Sequence, residues 1–70
     1  MVNMKFDGAK LKDLRLKNNL KQTELAEAIG VGQDRISRYE KGEEPPFEIL
    51  LKLERFFGIQ AEHLLYYVAK

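Results

Sequence analysis

Apolar residues in this chain return at intervals of three and four, and each such run is opened by a capping residue or proline or closed by glycine or asparagine. That rhythm lines one face of an α-helix, whereas a strand would need strict alternation. The chain is therefore expected to be all-α, a single domain over residues 1 to 70 with one small core and short connections. Asp7 supplies an N-cap oxygen for a first helix, with Phe6 before it and Leu11 after it set as a hydrophobic staple. Leu11 and Leu14 then face the core, and Asn18-Asn19 ends the run. A second helix is expected over about Gln22 to Ile29 and a third over about Gly32 to Lys41, stopped by Gly30 and Gly42, where a left-handed residue past the helix end costs glycine little. A fourth begins near Pro46 and ends before Gly58, with Phe47, Leu50, Leu53 and Phe57 as its stripe. A last, shorter helix covers about Ala61 to Val68. No strand is expected.

The composition excludes several classes. Without cysteine there is no disulfide framework and no thiolate metal site, and His63 stands alone, so neither a metal nor a cofactor is expected. No apolar run approaches the roughly 20 residues of a membrane span, and "MVNMKFDGAK" lacks the apolar centre of a signal peptide. A soluble, cytoplasmic protein is expected. An enzyme would need a nucleophile, a general base or a metal set; one histidine does not supply it, and Glu43 and Glu44 beside two prolines read as solvated charges. The formal net charge is only +1, but residues 1 to 42 carry nine Lys and Arg against six acids, while residues 43 to 70 carry three against five. The basic surface lies in the first three fifths.

Residues 22 to 39 form the informative unit. Two helices are joined by a short turn with Gly30 at the corner, and Ala26 is the small residue on the inner face of the second. At 100° per residue, Ile36 and Tyr39 lie about 60° apart on one side of the third helix, and Gln33, Asp34, Ser37, Arg38 and Lys41 span roughly 140° on the other. The third helix is apolar behind and polar in front.

The run Leu25-Ala26, Ile29-Gly30-Val31, Ile36-Ser37-Arg38-Tyr39-Glu40, Gly42 and Pro45, followed by the fourth-helix stripe, resembles the lambda repressor and Cro family of helix-turn-helix proteins over about residues 8 to 65. The resemblance implies a compact five-helix bundle with a helix-turn-helix at about residues 22 to 41, docking its third helix in the major groove of double-stranded DNA. By position, Gln33, Asp34, Ser37 and Arg38 then correspond to base-reading sites. Gln33 suits adenine and Arg38 guanine, each contact worth about 1 to 3 kcal/mol of discrimination, and Ser37 serves either partner. Gln22 corresponds to a phosphate-binding residue at the start of the second helix, and Lys21, Gly32, Arg35, Lys41 and Lys10 are further phosphate candidates. Asp34 has two readings: it accepts a hydrogen bond from cytosine N4, or it serves the start of a helix whose N-cap, Gly32, has no side chain.

The resemblance further implies a structural pair of Arg15 and Glu40 that locks the reading helix, and it makes Tyr39 a core residue whose hydroxyl reaches solvent or backbone. Departures from the pattern fall at Lys21, where Ser or Thr often caps; at Glu43 and Glu44, where relatives often carry basic residues; and at Phe56, where a small residue is common. A monomer reading about four base pairs would bind weakly, so a homodimer on a palindromic site is expected. Tyr66, Tyr67 and Val68 have two readings: they cover the core edge, or with Phe56 and Ile59 they form the dimer contact. The function implied is a sequence-specific regulator of transcription, most simply a repressor. The alternative is a protein-interaction module, such as an antitoxin, that uses the same fold to hold a protein partner.

Overall fold

A computed structural model describes residues 3–68. In chain order its elements are strand β1 (Asn3–Phe6), helices α1 (Gly8–Lys17), α2 (Gln22–Ile29), α3 (Gln33–Glu40) and α4 (Phe47–Phe57), a 3-10 turn (Ala61–Leu64) and strand β2 (Leu65–Val68). Asp7 caps α1, its Oδ1 accepting the Lys10 N–H at 3.1 Å. At the other end Asn18 turns its amide back to Leu14 O at 2.8 Å, and Asn19 takes the left-handed conformation, φ 57°. Lys21 precedes α2 without a side-chain cap of its own; Glu24 supplies the reciprocal bond, its Oε1 accepting the Lys21 N–H at 2.7 Å. Gly30, at φ 76°, closes α2.

The four helices bury one core. Leu11 of α1, Leu25 of α2, Ile36 and Tyr39 of α3, Leu53 of α4 and Leu64 of the 3-10 turn are its fully buried members. Ala26 lies buried in α2 beside Leu25, as a steep two-helix corner requires. On α4 Leu53 of the expected stripe is buried and Leu50 and Phe57 pack against the core, but Ile49 is buried in place of Phe47, which is 73 % exposed. Phe47 is the first residue of α4, directly after Pro46, so the helix places it on the rim before the first turn reaches the core.

The expected fifth helix is absent. Residues 61 to 64 make a single 3-10 turn, and Leu65–Val68 runs as a strand antiparallel to β1, with Asn3 opposite Val68, Met4 opposite Tyr67, Lys5 opposite Tyr66 and Phe6 opposite Leu65. The protein is thus four helices closed by a two-stranded sheet. The reason is chemical. Tyr-Tyr-Val favours extended backbone, because branched and aromatic side chains fit a pleated surface, and β1 supplies the ladder partner that a lone strand would lack. The Asp7 N–H donates to Leu64 O at 2.7 Å, so the alternating ladder turns the Phe6 N–H outward, away from β2. Glu44 receives that outward group, its Oε2 accepting the Phe6 N–H at 3.0 Å. One carboxylate of the acidic loop therefore closes the free edge of β1. Phe6 itself is 2 % exposed and meets Tyr39 edge to face, ring centres 6.5 Å apart.

Gly8 fixes where α1 meets the end of α3. A Cβ at this position would lie 2.6 Å from Glu40 O and closer still to Tyr39 O. Both obstacles are backbone carbonyls, so neither can rotate away.

Candidate nucleic-acid interface

The polar front of α3 is open to solvent. Gln33, Asp34, Arg35, Arg38 and Lys41 are exposed and Ser37 is half-buried, while Ile36 and Tyr39 anchor the opposite side. Gly32 and Lys21, which precede α3 and α2, are exposed as well, and Gln22 and Lys10 are half-buried. Gln33, the first residue of α3, donates from Nε2 to Oε1 of Gln22, the first residue of α2, at 3.3 Å. The N-termini of the two helices thus open side by side. Each brings unpaired backbone N–H groups and the positive end of its helix dipole to the same edge, the arrangement an anion such as a phosphate selects.

Behind this edge a hydrogen-bonded chain runs into the core. Arg15 is 7 % exposed and holds Glu40 through two bonds, Nε to Oε2 at 2.5 Å and Nη2 to Oε1 at 3.1 Å. Its Nη1 donates to Leu20 O at 2.8 Å, which ties the end of the α1–α2 connection to the same group. A pair this buried is costly to break, about 3 to 5 kcal/mol when one partner is removed, because the other is left charged and unpaired. Gln22 Nε2 donates to Glu40 Oε1 at 3.0 Å. An ionised carboxylate can only accept, so it fixes which way the Gln22 amide points, and Gln22 Oε1 is left facing Gln33. Gln33 must then offer one amide hydrogen inward, which leaves its second hydrogen and its oxygen facing out. That outward pair matches the N7 acceptor and N6 donor of adenine. Gln22 keeps one amide hydrogen for another acceptor.

Asp34 makes no capping bond: Gly32 is the N-cap of α3 and carries none. The carboxylate instead accepts from Arg38 Nη2, one helical turn on, at 3.2 Å. The remaining guanidinium N–H groups of Arg38 have no partner among the described residues. Arg35 is exposed and has no ion-pair partner among those residues. His63 sits exposed in the 3-10 turn, and no group of three or more His, Asp or Glu among the described residues is arranged to hold a metal. No helix of the described residues is long and apolar enough to cross a membrane.

Of the residues expected to meet a second copy, Phe56, Tyr66 and Tyr67 are exposed. Phe56, 42 % exposed, borders a shallow hollow between α2 and α4 with Ile29, Gly30, Lys52 and Arg55. Tyr66, 47 % exposed, borders a different one beside Phe6, Gly8, Lys41 and Gly42, and the two share no residue. Ile59 packs partly against the core, Val68 is half-buried, and Tyr67 stands out at 69 %. The Tyr39 ring is 1 % exposed, but its hydroxyl, expected to reach solvent or backbone, is buried without a hydrogen-bond partner among the described residues. Gly8, Glu44 and the Gln22–Glu40 bond carry structural roles that sequence reading missed. Each joins elements far apart in the chain, and no local pattern marks them.

Comparisons with known proteins agree with this geometry. Residues 11–64 match the model of the helix-turn-helix family. Over 58 residues, 81 % of this chain, it is 40 % identical to the cryptic phage CTXphi transcriptional repressor RstR of Vibrio cholerae, of whose length it spans about half, 52 %. It is 37 % identical over 59 residues to an HTH-type transcriptional regulator of Methanocaldococcus jannaschii, covering 83 % of this chain and 89 % of that one. Among solved structures, the P22 c2 repressor protein in complex with a synthetic operator superposes with a TM-score of 0.78 at 29 % identity, over 81 % of this chain and 88 % of that one. With a buried seam behind α3, a turn glycine after α2 and a family model matched over most of its length, the chain belongs to the helix-turn-helix family, of the lambda repressor type.

Proposed function

We propose that this protein is a sequence-specific DNA-binding regulator of transcription, most simply a repressor that acts by occupying its operator. Helix α3 enters the major groove of double-stranded DNA, with Gln33, Asp34, Ser37 and Arg38 at the base edges and Lys21, Gln22, Gly32, Arg35 and Lys41 toward the phosphates. The observation that carries this reading is the chain from Arg15 through Glu40 and Gln22 to Gln33. It orients an exposed amide from a buried ion pair, at an edge where two helix N-termini converge. The P22 c2 repressor, with a similar fold, is in complex with an operator. No catalytic step and no cofactor enters the proposal, and it places the protein in the cytoplasm on the nucleoid.

With these candidates toward the backbone, about four to six phosphates per subunit are contacted, so affinity falls steeply with salt, with a slope near −0.9 for each phosphate neutralised. A mobility-shift titration at two salt concentrations measures it. Binding indifferent to salt would contradict the docking.

A single subunit reads about four base pairs, so two copies on a palindrome are proposed, their α3 helices roughly 34 Å apart. Of the candidate contact residues, Tyr66, Tyr67 and Val68 lie on an edge strand, whose outer backbone groups can pair with a second copy. A second reading, a module that holds a protein partner, draws support from the α2–α4 hollow, where the exposed Phe56 lies beside the cationic Lys52 and Arg55.

A further inference from the structure

We infer that Asp34 is a positioning residue for Arg38. Its carboxylate holds the guanidinium toward the base edges and keeps it from swinging to a neighbouring phosphate. This rests on the proposed docking of α3 in DNA and deepens it. Asp34 and Arg38 lie one turn apart on the exposed front, joined by a single bond from Nη2 to Oδ2 at 3.2 Å. Asp34 has no other hydrogen-bond partner among the described residues, and the N-cap of α3 takes no bond from a side chain. Arg38 spends one of its five N–H groups on Asp34, which leaves a free edge wide enough for the paired acceptors of guanine.

The chemistry of the groove explains why such a bond matters although both side chains are solvated, 57 % and 71 % exposed. Duplex DNA carries one negative charge per about 1.7 Å, so a free arginine on a reading helix meets phosphates on every sequence. A carboxylate one turn earlier repels those phosphates and offers Arg38 a rival partner already in place. In bulk water the pair is a bias and no more; with water displaced from the groove the same attraction strengthens. Arg38 then gains most where a base edge can join the carboxylate in holding it. The effect is a lower affinity for arbitrary sequence and a higher ratio of specific to non-specific binding.

The test uses a site selected from random duplexes by the wild-type protein, with preference measured at each base pair for Asp34→Ala, Asp34→Glu, Arg38→Ala and the double variant. Asp34→Ala is expected to weaken preference at the base pair that Arg38→Ala weakens, by about three- to fivefold, the scale of one well-placed exposed ion pair. It should also tighten binding to unrelated duplex and steepen its salt slope by about one unit, as the freed arginine takes up a phosphate. Asp34→Glu restores the preference, and in the Arg38→Ala background Asp34→Ala changes nothing further. Loosening at a different base pair that persists without Arg38 would overturn the inference in favour of direct reading by Asp34. A lower melting temperature with unchanged preference would overturn it in favour of helix capping. A preference that Arg38→Ala weakens and Asp34→Ala leaves intact contradicts the positioning role alone, whereas a wild-type protein with no preference contradicts the docking itself.

Discussion

Two substitutions on opposite sides of α3 separate reading from folding at the scale of single residues. Among the described residues the Arg38 side chain bonds to the exposed Asp34 alone, so Arg38→Ala is expected to leave melting nearly unchanged while lowering affinity for the selected site by about 1 to 3 kcal/mol. Calorimetry and a binding titration check the two halves; an unfolded variant would mean that α3 is turned the other way. Behind it, the Tyr39 hydroxyl is buried without a hydrogen-bond partner among the described residues, and an unsatisfied buried hydroxyl costs free energy. Tyr39→Phe keeps the ring against Phe6 and is expected to be neutral or to stabilise by up to about 1 kcal/mol in denaturant unfolding. A loss above that size would reveal a hydrogen bond to the hydroxyl. The placement of Ile36 and Tyr39 inward and of Arg38 outward was legible from helical period alone. The inward amide bond of Gln33 was not, because it depends on Gln22 and Glu40, which the fold brings together across 18 positions of sequence.

Among the elements, helices α1 to α4 were legible because each has a local period and a local stop, and their observed ends fall within a residue or two of those expected. The C-terminal segment was not. Leu-Leu-Tyr-Tyr-Val is a short apolar run that fits a helix or a strand equally, and what decides it is a partner strand at the opposite end of the chain. The staple expected of Phe6 and Leu11 does put both in the core, but Phe6 also ends β1, so the residue that opens α1 is held from both sides. On α4 three expected positions, Leu50, Leu53 and Phe57, do meet the core; Phe47 does not, because Ile49 and Leu50 are adjacent apolar residues and period alone cannot choose between Phe47 and Ile49 as the inward residue of the first turn. Element packing also makes Gly8 irreplaceable. Alanine is the better helix former, yet its Cβ would strike two carbonyls at the end of α3. Gly8→Ala is therefore expected to cost about 1 to 3 kcal/mol, read as a melting temperature lower by about 5 °C or more. An unchanged melting temperature would show that α1 and α3 are less closely apposed.

For the whole molecule, near-neutral net charge conceals a division of labour. Nine of the twelve Lys and Arg lie within residues 1 to 42, and of the acids beyond residue 42 one, Glu44, closes a sheet edge. A fold of this kind gives rigidity to a few exposed side chains, and a second copy is proposed to reach useful affinity. The central claim is that the front of α3 reads base sequence. Repeated selection of bound duplexes from a random pool, followed by sequencing, tests it most directly. The account predicts enrichment of a palindrome whose half-sites lie about one helical turn apart, 10 to 10.5 base pairs, or a multiple of that spacing. A pool that stays random after repeated selection, with duplexes retained at low salt regardless of sequence, would contradict it.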